Sequence, residues 1–411
     1  MSRFFKAKSI AIIGAGPSGL AAARYLLAEK AFGKIVIFEQ GNHVGGLWKY
    51  TPEDDNDGTF SVPSTDPNVK LQRPLWRPSA GVNGTSGSSS ENSSIHEGSV
   101  SPTSDGRGKE PVFLSPIYDR LETNIPRSLM RFSDHAFRDD TQLFPKHGTV
   151  QNYLETYADP VRHLIRFETQ VTNVELNEGT DTDNGDSWTM RTQDVASGSE
   201  QNEDFDAVIV ASGHFITPYV PDIPGIREWH DARPGSITHS KWYRIPDPFA
   251  NQKVIVVGNF ASGLDISGQI ATVSATPLLL SQKGESKMGG GASNSTIETV
   301  PVITELIPST RSVRFSNGRI EHDVDSIVFC TGYLYTAPFL TNPSITPPLV
   351  HREGTRMQNI YQHLFYTPHP TLAMMTLPQK IIPFPVAEAQ ASVLARVYAG
   401  RLPLPPPSEM Q

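Results

Sequence analysis

The sequence holds one cysteine, Cys330, in 411 residues. A single thiol excludes a disulfide framework, a CxxC redox pair and a cysteine-built metal centre. No window is apolar over the roughly 20 residues that span a bilayer. The start, "MSRFFKAKSIAIIGAG", lacks the apolar run and cleavage site of a secretory leader, so a cytoplasmic protein without an integral membrane segment is expected. Positive charge is not in surplus. The formal net charge of −8 speaks against a general nucleic-acid or anionic-membrane surface. A Ser-His-Asp triad is not evident either. A redox enzyme built from such residues must take its redox chemistry from a cofactor.

What is present is a globular composition, with 37% hydrophobic and 19% charged residues. The length exceeds one ordinary core and suggests two or three domains, or one domain inserted in another. "SIAIIGAG" reads as a buried strand, "SGLAAARYLLAEK" as a helix and "KIVIFEQ" as the next strand. This order predicts a doubly wound α/β fold with a parallel sheet. Ser79 to Lys109 is rich in Gly and Ser, has no periodicity and reads as a flexible insert. "GTVQNYLETYADPVRHLI" predicts a helix. "RFETQVTNVELNE" and "SWTMRTQ" predict antiparallel strands. "FDAVIVASGHF", "PLLLSQK" and "VDSIVFCTGY" predict further strands, and "VAEAQASVLARVYAG" an amphipathic C-terminal helix. A second loose loop is expected at "GESKMGGGASNST".

The strand–turn–helix unit occurs twice. In the first, Gly14-Ala15-Gly16-Pro17-Ser18-Gly19 has the context that a dinucleotide turn requires. Gly14 permits the tight turn, Gly16 lets N–H groups approach a pyrophosphate, and Gly19 lets helix and strand pack closely. The helix N-terminus adds its positive dipole. Glu39 ends the next strand, where a carboxylate accepts from ribose hydroxyls. "GGLW", with Gly46, Leu47 and Trp48, allows close backbone approach to a flat ligand and could cover it. The second unit, Gly258-Asn259-Phe260-Ala261-Ser262-Gly263, keeps the outer glycines and puts Phe260 in the middle. Asn259 and Ser262 can donate hydrogen bonds. After the following strand stands Lys283 rather than an acid, which favours NADP over NAD.

Together these motifs resemble the flavin-containing monooxygenases (class B flavoprotein monooxygenases), with the fungal thiol- and amine-oxidising branch looking closest. "RPGSITHSKWYR" matches the family's FxGxxxHxxxY/F at Gly235, His239 and Tyr243, with Arg233 where the family prefers Phe. "ASGHF" resembles the family's ATGHY, and "CTGY" its ATGY return to the flavin domain. "YDRLETNIPRSLMRF" resembles the segment that supplies an active-site asparagine, here Asn124.

The resemblance implies FAD on the first turn and NADPH on the second. The two copies would then serve two dinucleotides, and the altered middle position belongs to the nicotinamide site. It implies an NADP domain inserted into a discontinuous FAD domain: residues 1–215, then 216–325, then a return over 326–411. It adds Val171, Ser212, Gly213 and Gly332 to the cofactor contacts. His239 and Tyr243 would sit at the cofactors while tying the two domains together. His147 and His214 are expected to be satisfied structural histidines, and Cys330 an inert packed thiol. The implied activity resembles that of N,N-dimethylaniline monooxygenase. A C4a-hydroperoxyflavin formed with molecular oxygen would oxygenate the sulfur or nitrogen of a small thiol or amine. A Baeyer–Villiger or N-hydroxylating relative, or a catalytically impaired, redox-responsive interaction module, are the competing readings. A homodimer is left open.

Overall fold

The computed structural model describes residues 4–52, 60–78, 108–177, 186–284, 295–341, 343 and 345–410. Of the expected acidic loop "GTDTDNGD", residues 179–185 lie outside them, as do 79–107 of the expected insert and most of the expected loop 284–296. Two sheets organise the chain, the second parallel and the first parallel except for an antiparallel edge over residues 360–374. The first runs in the order Ile360–Tyr361, Phe365–Tyr366, Leu372–Met374, Ala207–Val210, Ser9–Ile13, Lys34–Phe38, Ile165–Arg166. Its middle strands are continuous apolar runs because both faces are covered. One face carries the helices Pro17–Glu29, His147–Ala158 and Pro383–Tyr398. The other face carries a three-stranded antiparallel layer, in which Val174, Trp188, Met190 and Phe205 point inward.

Pro17 starts the first helix at the position where its missing N–H matters least. Lys30 ends it in a left-handed conformation, φ +53°. The expected α-helix at 148–165 stops at Ala158, because Pro160 cannot continue it; a 3-10 helix, Asp159–Leu164, carries the chain on. One strand of the antiparallel layer, Glu200–Phe205, has no sequence counterpart above. Its "EQNEDF" has one buried residue, Phe205, and so no alternation to read.

The second sheet is ordered Ile237–His239, Ser326–Phe329, Val254–Val257, Leu278–Ser281, Ile297–Val300. Here the domain boundary differs from expectation. Ser326–Phe329 pairs with Val254–Val257 on one side and Ile237–His239 on the other, so it belongs to the second sheet. The return to the first sheet begins only after Phe329. The insert is also shorter at its end than expected, since Lys109–Val112 pairs with Leu75–Pro78.

The two chain crossings between the sheets lie side by side. Thr217–Pro218 pairs antiparallel with Tyr333–Leu334. His239 fastens this crossing. Its Nδ1 accepts the Lys241 N–H at 3.1 Å, so its Nε2 carries the proton and donates to the Gly332 carbonyl at 3.0 Å. Gly332 O also accepts from Tyr219 N–H at 2.9 Å. Burial lowers the His239 pKa to about 3, so the ring is a neutral link, not an acid or base.

This arrangement has a pH signature. The unfolded imidazole protonates near 6.5, while the folded one resists to about 3. Its contribution is complete above pH 6.5 and falls as pH drops through that window. His43 and His214, both lowered to about 4 by burial, add the same sign. Glu39, raised by burial, adds the opposite sign. Thermal unfolding should therefore show a melting temperature that declines from about pH 6.5 to about pH 5. His239→Gln should flatten that decline, and an unchanged slope in this variant would remove His239 from the explanation.

Candidate functional site

The first glycine turn sits at the carboxyl edge of the first sheet, where strand order reverses around Ser9–Ile13. Its outer glycines serve the protein's own packing. Gly14 has φ +102°, and a Cβ there would lie 2.8 Å from the Ala211 carbonyl oxygen. A Cβ on Gly19 would lie 1.9 Å from the Gly14 oxygen. The middle glycine differs. A Cβ on Gly16 would meet only Gly46 backbone, its Cα at 3.7 Å and its N at 3.9 Å. The Gly45-Gly46 loop is tied to the turn by a bond from Gly45 N–H to the Ala15 carbonyl, 3.0 Å. Gly16 and Gly46 thus form one side-chain-free face, flanked by Pro17, Ser18, Leu47 and Trp48. Trp48 packs edge-on against Phe384 at 6.4 Å.

Glu39 is buried beside this face. One carboxylate oxygen accepts the Ala15 N–H and the other the Gly41 N–H, each at 2.8 Å. Burial raises its pKa, and these backbone bonds oppose the rise. Each oxygen keeps lone-pair capacity for a ligand hydroxyl. A flat approach free of Cβ atoms, a helix N-terminus and a buried acceptor together fit the pyrophosphate and ribose of FAD. Val171 is close by in sequence to this corner, where Thr169 N–H donates to the Glu39 carbonyl at 2.9 Å; its side chain is buried in the antiparallel layer.

The second turn repeats the first contact by contact. Gly258 has φ +112°, and a Cβ would lie 2.5 Å from the Cys330 carbonyl oxygen; on Gly263 it would lie 1.9 Å from the Gly258 oxygen. Gly258 N–H donates to Ser281 O at 2.9 Å, as Gly14 N–H does to Phe38 O at 2.8 Å. At the middle position Phe260 is 47% exposed, and the Lys380 ammonium stands 5.8 Å from its ring centre. Asn259, expected to donate to a phosphate, instead gives its amide to Gln282 Oε1 and the Gly284 carbonyl, both at 2.7 Å. Ser262 is half-buried in the first turn of the helix, and Lys283 is exposed at the strand end beside the turn. An exposed cation there fits the additional phosphate of NADPH.

Other expected residues land in different places. Ser212 and Gly213 follow the Ala207–Val210 strand, and Gly213 has φ +71°. Tyr243 lies between the linker and the second helix. It is buried, packs edge-on against Tyr118 at 5.3 Å and donates to Gln269 Oε1 at 3.0 Å. It therefore supports the helix Ala261–Ile270 from below. His147 is satisfied by the Asp119 carbonyl at 3.1 Å. His214 is not satisfied. Its Nε2 is buried without a partner among the described residues, and its ring stacks 4.7 Å from Tyr335. The cavity of about 10 Å³ that it lines matches one water. Cys330 is buried, and burial pushes its thiol up, as expected of a packed thiol.

Asn124 is exposed on the segment that joins the two halves. Ser115 on that segment donates to the Leu47 carbonyl, Tyr118 bonds Asp265 on the second helix, and Ile125 packs on the first core. Gln151 went unread in the sequence, although a polar residue on the apolar face "VQNYL" marks it. Its Nε2 donates to the Val44 carbonyl at 2.9 Å beneath the Gly45 turn.

Comparison with known proteins agrees with this geometry. The family model for flavin-binding monooxygenase-like proteins matches residues 111–300 and 293–411. A model for NAD(P)-binding Rossmann-like domains matches residues 12–65. The chain is a member of the flavin-containing monooxygenase family. FAD and NADPH are accordingly its cofactors. It is 34% identical to flavin-containing monooxygenase FMO GS-OX3 of Arabidopsis thaliana, over 98% of this chain and 76% of that protein. The solved S-allyl-L-cysteine S-oxygenase of Allium sativum superposes with a TM-score of 0.73 at 31% identity, covering 99% of this chain and 80% of that one. Tmm from Pelagibacter sp. strain HTCC7211, at 22% identity and TM-score 0.70, shares the fold. Among the described residues no helix is long and apolar enough to cross a membrane, and no cluster of His, Cys, Asp and Glu could hold a metal.

The turn geometry separates two classes of glycine in this monooxygenase. Gly19→Ala should cost roughly 3 kcal/mol or more, because the clash is with backbone. Gly16→Ala should leave urea unfolding nearly unchanged and yet abolish tight FAD retention. Equal loss of stability in the two variants would refute the division.

Proposed function

We propose that this flavin-containing monooxygenase is an NADPH-dependent S-oxygenase of small thioethers and thiols. The observation that carries the reading is the pair of turns. Both hold the same strand-to-helix geometry, but only the first presents a Cβ-free middle position, at Gly16 against Gly46. The first turn suits a dinucleotide held throughout the cycle, and the second suits one that enters and leaves. Sulfur is favoured because the relatives most similar over the whole length include an S-allyl-L-cysteine S-oxygenase.

The balanced reaction is thioether, O₂, NADPH and a proton giving sulfoxide, NADP⁺ and water. The flavin, when bound and reduced, supplies the activation of oxygen. The chain's residues bind, orient and exclude water. Gly16, Gly46 and the first helix N-terminus would hold the FAD pyrophosphate, and Glu39 the ribose. Lys283 would hold the 2′-phosphate of NADPH. Asn124, exposed on the segment that contacts both halves, would hydrogen-bond the bound cofactors. The low proton demand on the protein agrees with the neutral state of His239.

The test is turnover of FAD-loaded protein with NADPH and ¹⁸O₂ against S-alkyl cysteines, simple thiols and tertiary amines. One ¹⁸O in a sulfoxide per NADPH consumed is the expected result. NADPH oxidation that yields hydrogen peroxide with every thioether would sink the S-oxygenase reading, and N-oxide formation alone would move it to amines. Lys283→Ala should raise the KM for NADPH about tenfold, the worth of one charge-assisted contact, and leave that for NADH unchanged.

A further inference from the structure

Thr376 is a β-branched residue in the left-handed region, with φ +57°. Such a residue is a genuine backbone outlier, which persists only where its surroundings fix it. Two side chains do so here. Thr376 N–H donates to Gln390 Oε1 at 2.8 Å, and Gln390 Nε2 donates to the His363 carbonyl at 3.1 Å. On its other side, Thr376 Oγ1 lies 2.7 Å from Ser18 Oγ, within the first turn of the helix that opens at the first glycine turn. Gln390 sits on the C-terminal helix Pro383–Tyr398. The relay therefore runs from that helix, through a strained residue at the end of the Leu372–Met374 strand, to the cofactor turn.

The hydroxyl pair has a fixed proton count. Two hydroxyls bring two protons, and the bond between them uses one. Whichever donates, the other keeps a proton for an outside acceptor. Both residues are half-buried, so the spare donor has a way out. The acceptor that belongs at this helix N-terminus is anionic oxygen.

We propose that Thr376 is a cofactor-binding residue, which with Ser18 supplies one hydroxyl donor to the FAD pyrophosphate, and that Gln390 is the positioning residue that holds it there. The proposal rests on the reading that FAD occupies the first turn. It explains why a threonine occupies a conformation that glycine would adopt without strain. The hydroxyl is what the strain retains.

The test is FAD titration of apoprotein, followed by the visible flavin spectrum, beside thermal unfolding of the same apoproteins. Thr376→Ser keeps the hydroxyl and should hold FAD as tightly as the parent. Thr376→Gly relieves the backbone, so its melting temperature should stay level or rise while its Kd for FAD rises about tenfold. Thr376→Val keeps shape and strain without the hydroxyl and should show the same tenfold loss. Gln390→Leu should weaken FAD binding, and adding it to Thr376→Gly should weaken binding no further. Thr376→Gly or Thr376→Val with parental affinity overturns the hydroxyl role, and full additivity of the double variant overturns the role of Gln390. A parent apoprotein that takes up no FAD overturns the first-turn reading itself, an outcome distinct from parental affinity in the variants.

Discussion

The contact on which both halves depend is that of a glycine Cα with a backbone carbonyl, made where a helix crosses over the strand that precedes it. Gly19 sits on the Gly14 oxygen and Gly263 on the Gly258 oxygen, each so close that a Cβ would lie 1.9 Å away. That approach brings the helix N-terminus to the carboxyl edge of its sheet. Gly14 and Gly258 then press on the carbonyls of Ala211 and Cys330, the residues at which the chain leaves one sheet for the other. Turn and crossing are therefore one construction, built twice. Its rigidity lets a single middle position, Gly16 or Phe260, distinguish the two sites without disturbing either sheet.

Polar links join the two constructions. Neutral His239 holds the Gly332 carbonyl, and Tyr118 reaches Asp265 on the second helix. Arg244, buried, donates to carbonyls of Ser115 and Ile117 at 3.2 and 3.4 Å. Hydrogen bonds of this kind fix direction better than a hydrophobic face does, because they lose strength steeply with angle. The proposed hydride transfer between two dinucleotides needs that fixed direction. The segment that carries Asn124 is part of the same set of links, so its position is set by contacts to both halves.

Much of this was legible in the sequence. Apolar runs such as "SIAII" and "VIVV" announce strands buried on both faces, and the glycine spacings announce the turns. Glu39 was legible because a strand of known length ends there. The polar edge strand Glu200–Phe205 was not, since its position is set by partners and not by its own pattern. Ser326–Phe329 was assigned to the wrong sheet for a related reason: an apolar strand shows that it is buried but not which neighbours bury it.

The sequence by itself determined the element types, the two turns and the family, because these depend on local sterics and on residue order. The tertiary structure decided where side chains point once both halves close. It placed Tyr243 under a helix, tied the Asn259 amide to Gln282, and left His214 Nε2 without a partner among the described residues. It also brought Thr376 and Gln390 to Ser18 across more than three hundred residues of chain. No spacing encodes that meeting. It follows from a C-terminal strand and helix returning to the first sheet, and only the closed fold sets the distance between two hydroxyls so far apart in sequence.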